Sequence, residues 1–138
     1  MPNTLTKNNR RFNHSVGFVQ KEPTFDATDT DIDFRLSNKQ KLTLTADIVD
    51  VHFQFPAESG NFLCVFLQDG TGGWDVSYWK TKDSAGNAGN NDGGTGGAIR
   101  WAGGSPPDLT DGSNKDDILT FYWDADLEVC YGVATLNF

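Results

Sequence analysis

Residues 31–56 read DIDFRLSNKQKLTLTADIVDVHFQFP, and their spacing decides the fold. In IDFRL the apolar Ile32, Phe34 and Leu36 alternate with Asp33 and Arg35. KLTLT continues the period with Leu42 and Leu44. Val49, Val51, Phe53 and Phe55 then alternate with Asp50, His52 and Gln54. A period of two places one set of side chains on each face of a β-strand. The apolar set changes phase at Ala46-Asp47, so a tight turn or a bulge is expected there, because one regular strand cannot switch faces.

Working outward, NFLCVFLQ (61–68) is apolar at odd and even positions, as a central sandwich strand would be. DGTGG is a turn, and WDVSYW is the next strand. A short strand is expected around 98–101. ILTFYWD and EVCYGVATLNF form a hairpin across Ala125-Asp126. No segment carries a helical period. The pattern predicts an all-β chain of seven to nine short strands, an antiparallel β-sandwich or jelly roll with an extended N-terminal arm.

The arm is assigned to residues 1–31 and the sandwich domain to 32–138. Residues 81–97, TKDSAGNAGNNDGGTGG, are a glycine-rich loop insertion, too long and too polar for an ordinary hairpin. The first 21 residues hold four of the chain's 11 cations and none of its 19 carboxylates, whereas the whole chain carries −8. A basic arm on an acidic body suits docking onto a neighbouring protein and disfavours nucleic acid or an anionic membrane. No apolar run is long enough to cross a membrane, and the N-terminus lacks the apolar core of a secretory signal. Attachment is assigned to Lys7, Arg10, Arg11 and Phe12, with Val16 and Phe18 as apolar anchors.

Chemistry-bearing constellations are few. His14 lies in the arm, and His52 shares an outward strand face. Ser105 lacks the Gly-x-Ser-x-Gly spacing of a nucleophile elbow. Cys64 and Cys130 sit between apolar neighbours and read as buried thiols, with no zinc-ligand spacing. Asp116, Asp117, Asp124, Asp126 and Glu128 supply carboxylates, which in turns usually cap backbone amides. Asp26, Asp29, Asp31 and Asp33 resemble the opening of a calcium loop. However, Phe34 stands where such a loop needs glycine and Gln40 where it needs a bidentate glutamate. No cofactor or metal is expected, and the chain is read as non-enzymatic. Trp74, Tyr78, Trp79, Trp101, Tyr122 and Trp123 could stack on sugar C–H groups or anchor an interface, with Trp74, Trp79 and Trp123 the leading candidates for glycan or subunit contact; alternation sets Trp79 opposite Tyr78 and Trp123 opposite Tyr122, so some of these rings must face outward or into a partner.

RWAGGSPPDLT (100–110) reads as a stiff crossover between strands. Gly103 and Gly104 open a backbone path closed to other residues, and Pro106 and Pro107 fix φ. Trp101 anchors the segment and Leu109 plugs its far end.

The order of motifs is specific. LTLTADIVDVHFQFP, LCVFLQDGTGGWDVSYW, IRWAGGSPPDLT, DDILTFYWD and YGVATLNF follow one another across residues 42–138. Over roughly residues 32–138 the chain resembles a β-sandwich module of tailed-bacteriophage virion structural proteins, of the tail-fibre or capsid-decoration type. Two departures stand out: Ala46-Asp47 replaces the module's Gly-Asn turn, and the glycine-rich insertion replaces a short link. The resemblance implies a structural component of a virion, made in the host cytoplasm. A capsid decoration, or cement, protein attached through its arm is the favoured reading. The implied partners are the major capsid protein or other virion proteins, with a homotrimer as the favoured self-assembly. Two alternatives are a tail-fibre or tail-tip receptor-binding protein and a soluble carbohydrate-binding module.

Overall fold

The computed structural model describes residues 15–89 and 99–138. Every regular element is a strand: β1 Asp29–Asp33, β2 Lys39–Leu44, β3 Ile48–Gln54, β4 Gly60–Gln68, β5 Val76–Lys82, β6 Ile99–Trp101, β7 Asp116–Asp124 and β8 Val129–Thr135. They form a three-stranded sheet, β1-β3-β5, and a five-stranded sheet, β2-β4-β7-β8-β6. The two face each other across one apolar core, an arrangement consistent with a β-sandwich.

The expected antiparallel order holds only for the β4-β7-β8 meander. The pairs β1-β3, β3-β5, β2-β4 and β6-β8 are parallel. The reason lies in the connections. From β1 to β6 each successive strand crosses to the other sheet. The short loops at 34–38, 45–47 and 55–59 therefore arch over the core instead of closing hairpins. A strand in the opposite sheet supplies the crossover that parallel neighbours need. Alternation fixes which side chains face inward but not which way the next strand runs. The order is accordingly not that of an antiparallel jelly roll.

The phase change at Ala46-Asp47 is such an arch: Leu42 and Leu44 enter the core from one sheet, Val51 and Phe53 from the other. A second shift follows inside β3. The adjacent amides of Val49 and Asp50 both donate toward the chain leading into β1, to the carbonyls of Ala27 (2.9 Å) and Thr28 (3.1 Å). Consecutive amides of a regular strand point to opposite sides, so the alternation breaks here, while the register with β1 and β5 stays one-to-one. Ile48 therefore takes the inward position expected for Val49, which is exposed. Leu36 is also exposed, because β1 ends at Asp33.

The core is largely aromatic. Phe34, Phe53 and Phe55 meet Phe62, Phe66, Phe121 and Trp123, with Phe53 and Phe121 4.5 Å apart and Phe55 stacked on Trp123 at 4.7 Å. Cys64 and Cys130 are buried and free, and burial pushes both thiols far above the ordinary range. Neither is a nucleophile in this setting.

β1 begins inside the stretch assigned to the arm, and Lys21 already bridges to β2, its amide bonded to Lys39 O and its carbonyl to the Lys41 amide. Thr81 and Lys82 belong to β5, so the glycine-rich segment starts later than expected. The 100–110 crossover is as anticipated at both ends. Gly103 and Gly104 share a φ of 84°, the half-buried Trp101 ring lies against Gly132, and Leu109 is buried. Thr110 is tied to β7 through Asp117.

Candidate functional site

Of the attachment residues, Lys7, Arg10, Arg11 and Phe12 lie outside the described residues. Val16 and Phe18 are exposed, as is Val19, whose carbonyl accepts a hydrogen bond from Ser37 Oγ. This arm root, residues 15–21, thus runs to the β2 edge and sits beside the exposed Leu36.

The tryptophan candidates are corrected. Trp79 and Trp123 are buried, Trp79 stacked on Phe53 and Trp123 on Phe55. Trp74 is half-buried, and its indole N–H donates to Asp69 Oδ1 at 2.9 Å. Alternation along β5 and β7 turns the tyrosines outward instead, exposing Tyr78 and Tyr122. The largest apolar rings fill the core, and rings with a hydroxyl face water.

Asp69 organises the DGTGG turn. Its carboxylate accepts from the amides of Thr71 and Gly72 as well as from Trp74. These bonds, the Gly72 amide foremost, hold its pKa below the usual carboxylate value of 3.8. A depressed pKa contributes stability above the unfolded value that is lost as pH falls through the folded one. The turn should therefore hold at pH 5 and loosen on acidification below about pH 4. The check is the Trp74 indole proton signal, which should shift in that window and lose the dependence in Asp69→Asn.

The outward face of the five-stranded sheet carries the aromatic candidate Tyr122. Strand register arranges it in rows. Arg100, Tyr131, Tyr122 and Asn61 stand side by side on β6, β8, β7 and β4. Val133, Thr120, Leu63 and Lys39 form the next row, and Thr135, Ile118, Val65 and Lys41 the third. Arg100 donates to the Tyr131 hydroxyl at 2.9 Å and lies 5.3 Å from its ring centroid, while Tyr122 stacks on Tyr131 at 6.2 Å. A groove of about 330 Å³ runs beside Tyr122 and Leu63, with Asn61, Thr120 and Lys39 along it. The centre of this face is apolar, its two edge strands carry Lys39, Lys41 and Arg100, and Asp116 and Asp124 stand at the two ends of β7 on the same side. Among the described residues no carboxylate is ion-paired to Lys39 or Lys41. The signal in the sequence was NFLCVFLQ: both its faces are apolar, yet only one meets the core.

The outward face of the smaller sheet is opposite in character. Asp29 lies 2.6 Å from His52 Nδ1, Asp31 2.7 Å from Lys82 and Asp50 2.8 Å from Lys80. Asp33 is held below the usual carboxylate range by its hydrogen bond with Arg35. This is a diagonal charge ladder across parallel strands. Asp29, Asp31 and His52 are close enough together to hold a cation, but each already has a partner within the ladder. Of the four aspartates weighed for calcium only Asp29 and Asp31 belong to that cluster; Asp26 Oδ1 caps the amides of Thr28 and Asp29, and Asp33 pairs with Arg35. Between residues 21–26 and β1 lies a second groove of about 450 Å³, where Asp26, Asp29, Asp31 and Asp33 stand with Lys21 and Glu22.

No family model, curated protein or solved structure matches the chain.

Proposed function

We propose that the protein is a non-enzymatic structural component of a tailed-phage virion, a capsid decoration protein attached to the shell through its N-terminal arm. The motif order across residues 42–138 supports the virion setting. The observation that carries an adhesive role is the apolar outward face of the larger sheet, where Tyr122, Tyr131 and Val133 stand exposed among the described residues. Contiguous exposed apolar surface rimmed by polar residues marks an interaction site. The exposed Val16 and Phe18 at the arm root add a second apolar element.

The major capsid protein is the proposed shell partner. Gold-labelled protein should decorate the shell of intact particles, and deleting residues 1–20 should abolish the decoration. Label confined to the tail would favour the fibre or tip alternative, and the absence of label from particles would overturn the virion reading. The carbohydrate-binding alternative moves from the buried Trp79 and Trp123 to the groove beside Tyr122 and Asn61. A glycan array tests it, with Tyr122→Ala as the control.

A further inference from the structure

The outward face of the three-stranded sheet gathers one imidazole and two carboxylates. Asp29 and Asp31 are two residues apart on β1, so their side chains leave the same face, and His52 stands opposite Asp31 on β3. Each offers one donor atom, and the three atoms lie within 4.8 Å of one another. His52 Nδ1 is 2.6 Å from Asp29 Oδ1 and 3.9 Å from Asp31 Oδ1. Donors bound at about 2.1 Å around a tetrahedral ion stand about 3.4 Å apart, so these two spacings bracket what an ion needs. Both aspartates are exposed, which gives their carboxylates room to turn. We infer that Asp29, Asp31 and His52 bind a divalent transition-metal ion of the zinc class.

The charges of this face favour an added cation. Asp31, Asp33 and Asp50 each lie against a lysine or arginine, namely Lys82, Arg35 and Lys80. Asp29 lies against His52 and against no lysine or arginine among the described residues. The ladder thus holds one carboxylate more than it holds lysines and arginines. The adjoining groove does not remove that excess, since it brings Lys21 together with Glu22 and Asp26.

The imidazole selects the ion. Carboxylates alone suit calcium or magnesium, whereas a ring nitrogen suits zinc, nickel or copper. Calcium takes about six to eight oxygens, and two aspartates supply at most about four. The donors stand on neighbouring strands, so backbone register holds them and binding has only three side chains to order. The contacts they make now are exchangeable. In the neutral ring the proton on Nδ1 moves to Nε2, freeing the Nδ1 lone pair for the ion. Lys82 Nζ, 2.7 Å from Asp31 Oδ1, turns out to solvent. Three protein donors leave the remaining coordination positions to water. The bound ion fastens β1, an edge strand, to β3 at the middle of the sheet. This inference does not rest on the protein's place in a virion.

The test is calorimetric titration of the purified full chain with zinc ions in a buffer that does not chelate them. The wild type should bind zinc, and a tenfold excess of calcium or magnesium should leave the binding unchanged. His52→Gln should weaken it at least about tenfold, since the selecting donor is gone. Lys82→Gln should tighten it about fivefold, because it removes a competing positive charge about 4 Å from the ion. The two variants move in opposite directions, so damaged folding cannot account for both. His14→Gln, in the arm, should bind as the wild type does. Saturating zinc should raise the unfolding temperature of the wild type and leave that of His52→Gln unchanged. No zinc binding by the wild type, or weaker binding by Lys82→Gln, would overturn the inference. Wild-type affinity in His52→Gln, or binding lost in His14→Gln, would also overturn it and mean an adventitious ion only.

Discussion

Replacing Phe53 with alanine should lower the free energy of unfolding by about 4 kcal/mol, the largest single effect we expect in this chain. Phe53 is fully buried at the centre of the smaller sheet and reaches across to the larger one. It touches Phe121 at 4.5 Å, Phe34 at 5.8 Å, Trp79 at 6.0 Å and Phe66 at 6.4 Å. Truncation removes the transfer free energy of the ring and leaves a cavity among rigid aromatic neighbours that cannot collapse to fill it. For a chain of 138 residues that loss lowers the melting temperature by about 10–15 °C. Val49→Ala in the same strand should cost less than about 0.5 kcal/mol, because Val49 points to solvent. Urea titrations of the two variants make the comparison. Equal midpoint shifts would mean that the break in alternation at Val49-Asp50 is absent and that Val49 and Phe53 share a face.

That contrast marks the limit of what the sequence could convey. Period two identified the strands and most inward side chains, because burial is a local property of each alternating stretch. It placed Val49 inside because a break in alternation leaves no mark in the composition. It could not give strand direction, because an arch to the opposite sheet and a hairpin have the same loop length. The glycine and proline chemistry of 102–107 and the anchoring Trp101 were legible, since φ and ring size are fixed by residue type. The aromatic candidates divide for a different reason. Alternation showed that Trp79 and Tyr78, and Trp123 and Tyr122, face opposite ways, but not which of each pair meets the core; the structure buries the tryptophans and exposes the tyrosines. The double apolar character of NFLCVFLQ was assigned to burial on both sides, whereas its outer side chains, Leu63, Val65 and Leu67, are only half-buried on the outward face of the sheet.

The second large effect should come from Asp117, whose adjacent partner Asp116 made it an obvious carboxylate to weigh for chemistry. Its side chain is buried and spans three connections. Oδ2 accepts from the Thr110 amide at 2.7 Å, and Oδ1 accepts from the Thr110 hydroxyl at 2.7 Å and the Asn137 amide at 2.9 Å. One carboxylate thereby fastens the end of the 100–110 crossover and the C-terminal segment to β7. Asp117→Ala strands three donors at once, and an unsatisfied buried donor costs about 1–3 kcal/mol, less where water can reach it. The expected loss is about 3–4 kcal/mol. Asp117→Asn should cost about 2 kcal/mol, since its oxygen can still serve the two Oδ1 donors while its amide opposes the Thr110 N–H. Thr110→Val removes only the hydroxyl bond and should cost about 1 kcal/mol. Combined with Asp117→Ala it should add almost nothing, because the two side chains share one interaction. Hydrogen exchange locates the effect: the Thr110 and Asn137 amides should lose protection in Asp117→Ala while Cys64 in β4 keeps most of its own. Additive costs for Thr110→Val and Asp117→Ala, or unchanged protection at Asn137, would show that the crossover and the C-terminus are held by something other than this carboxylate.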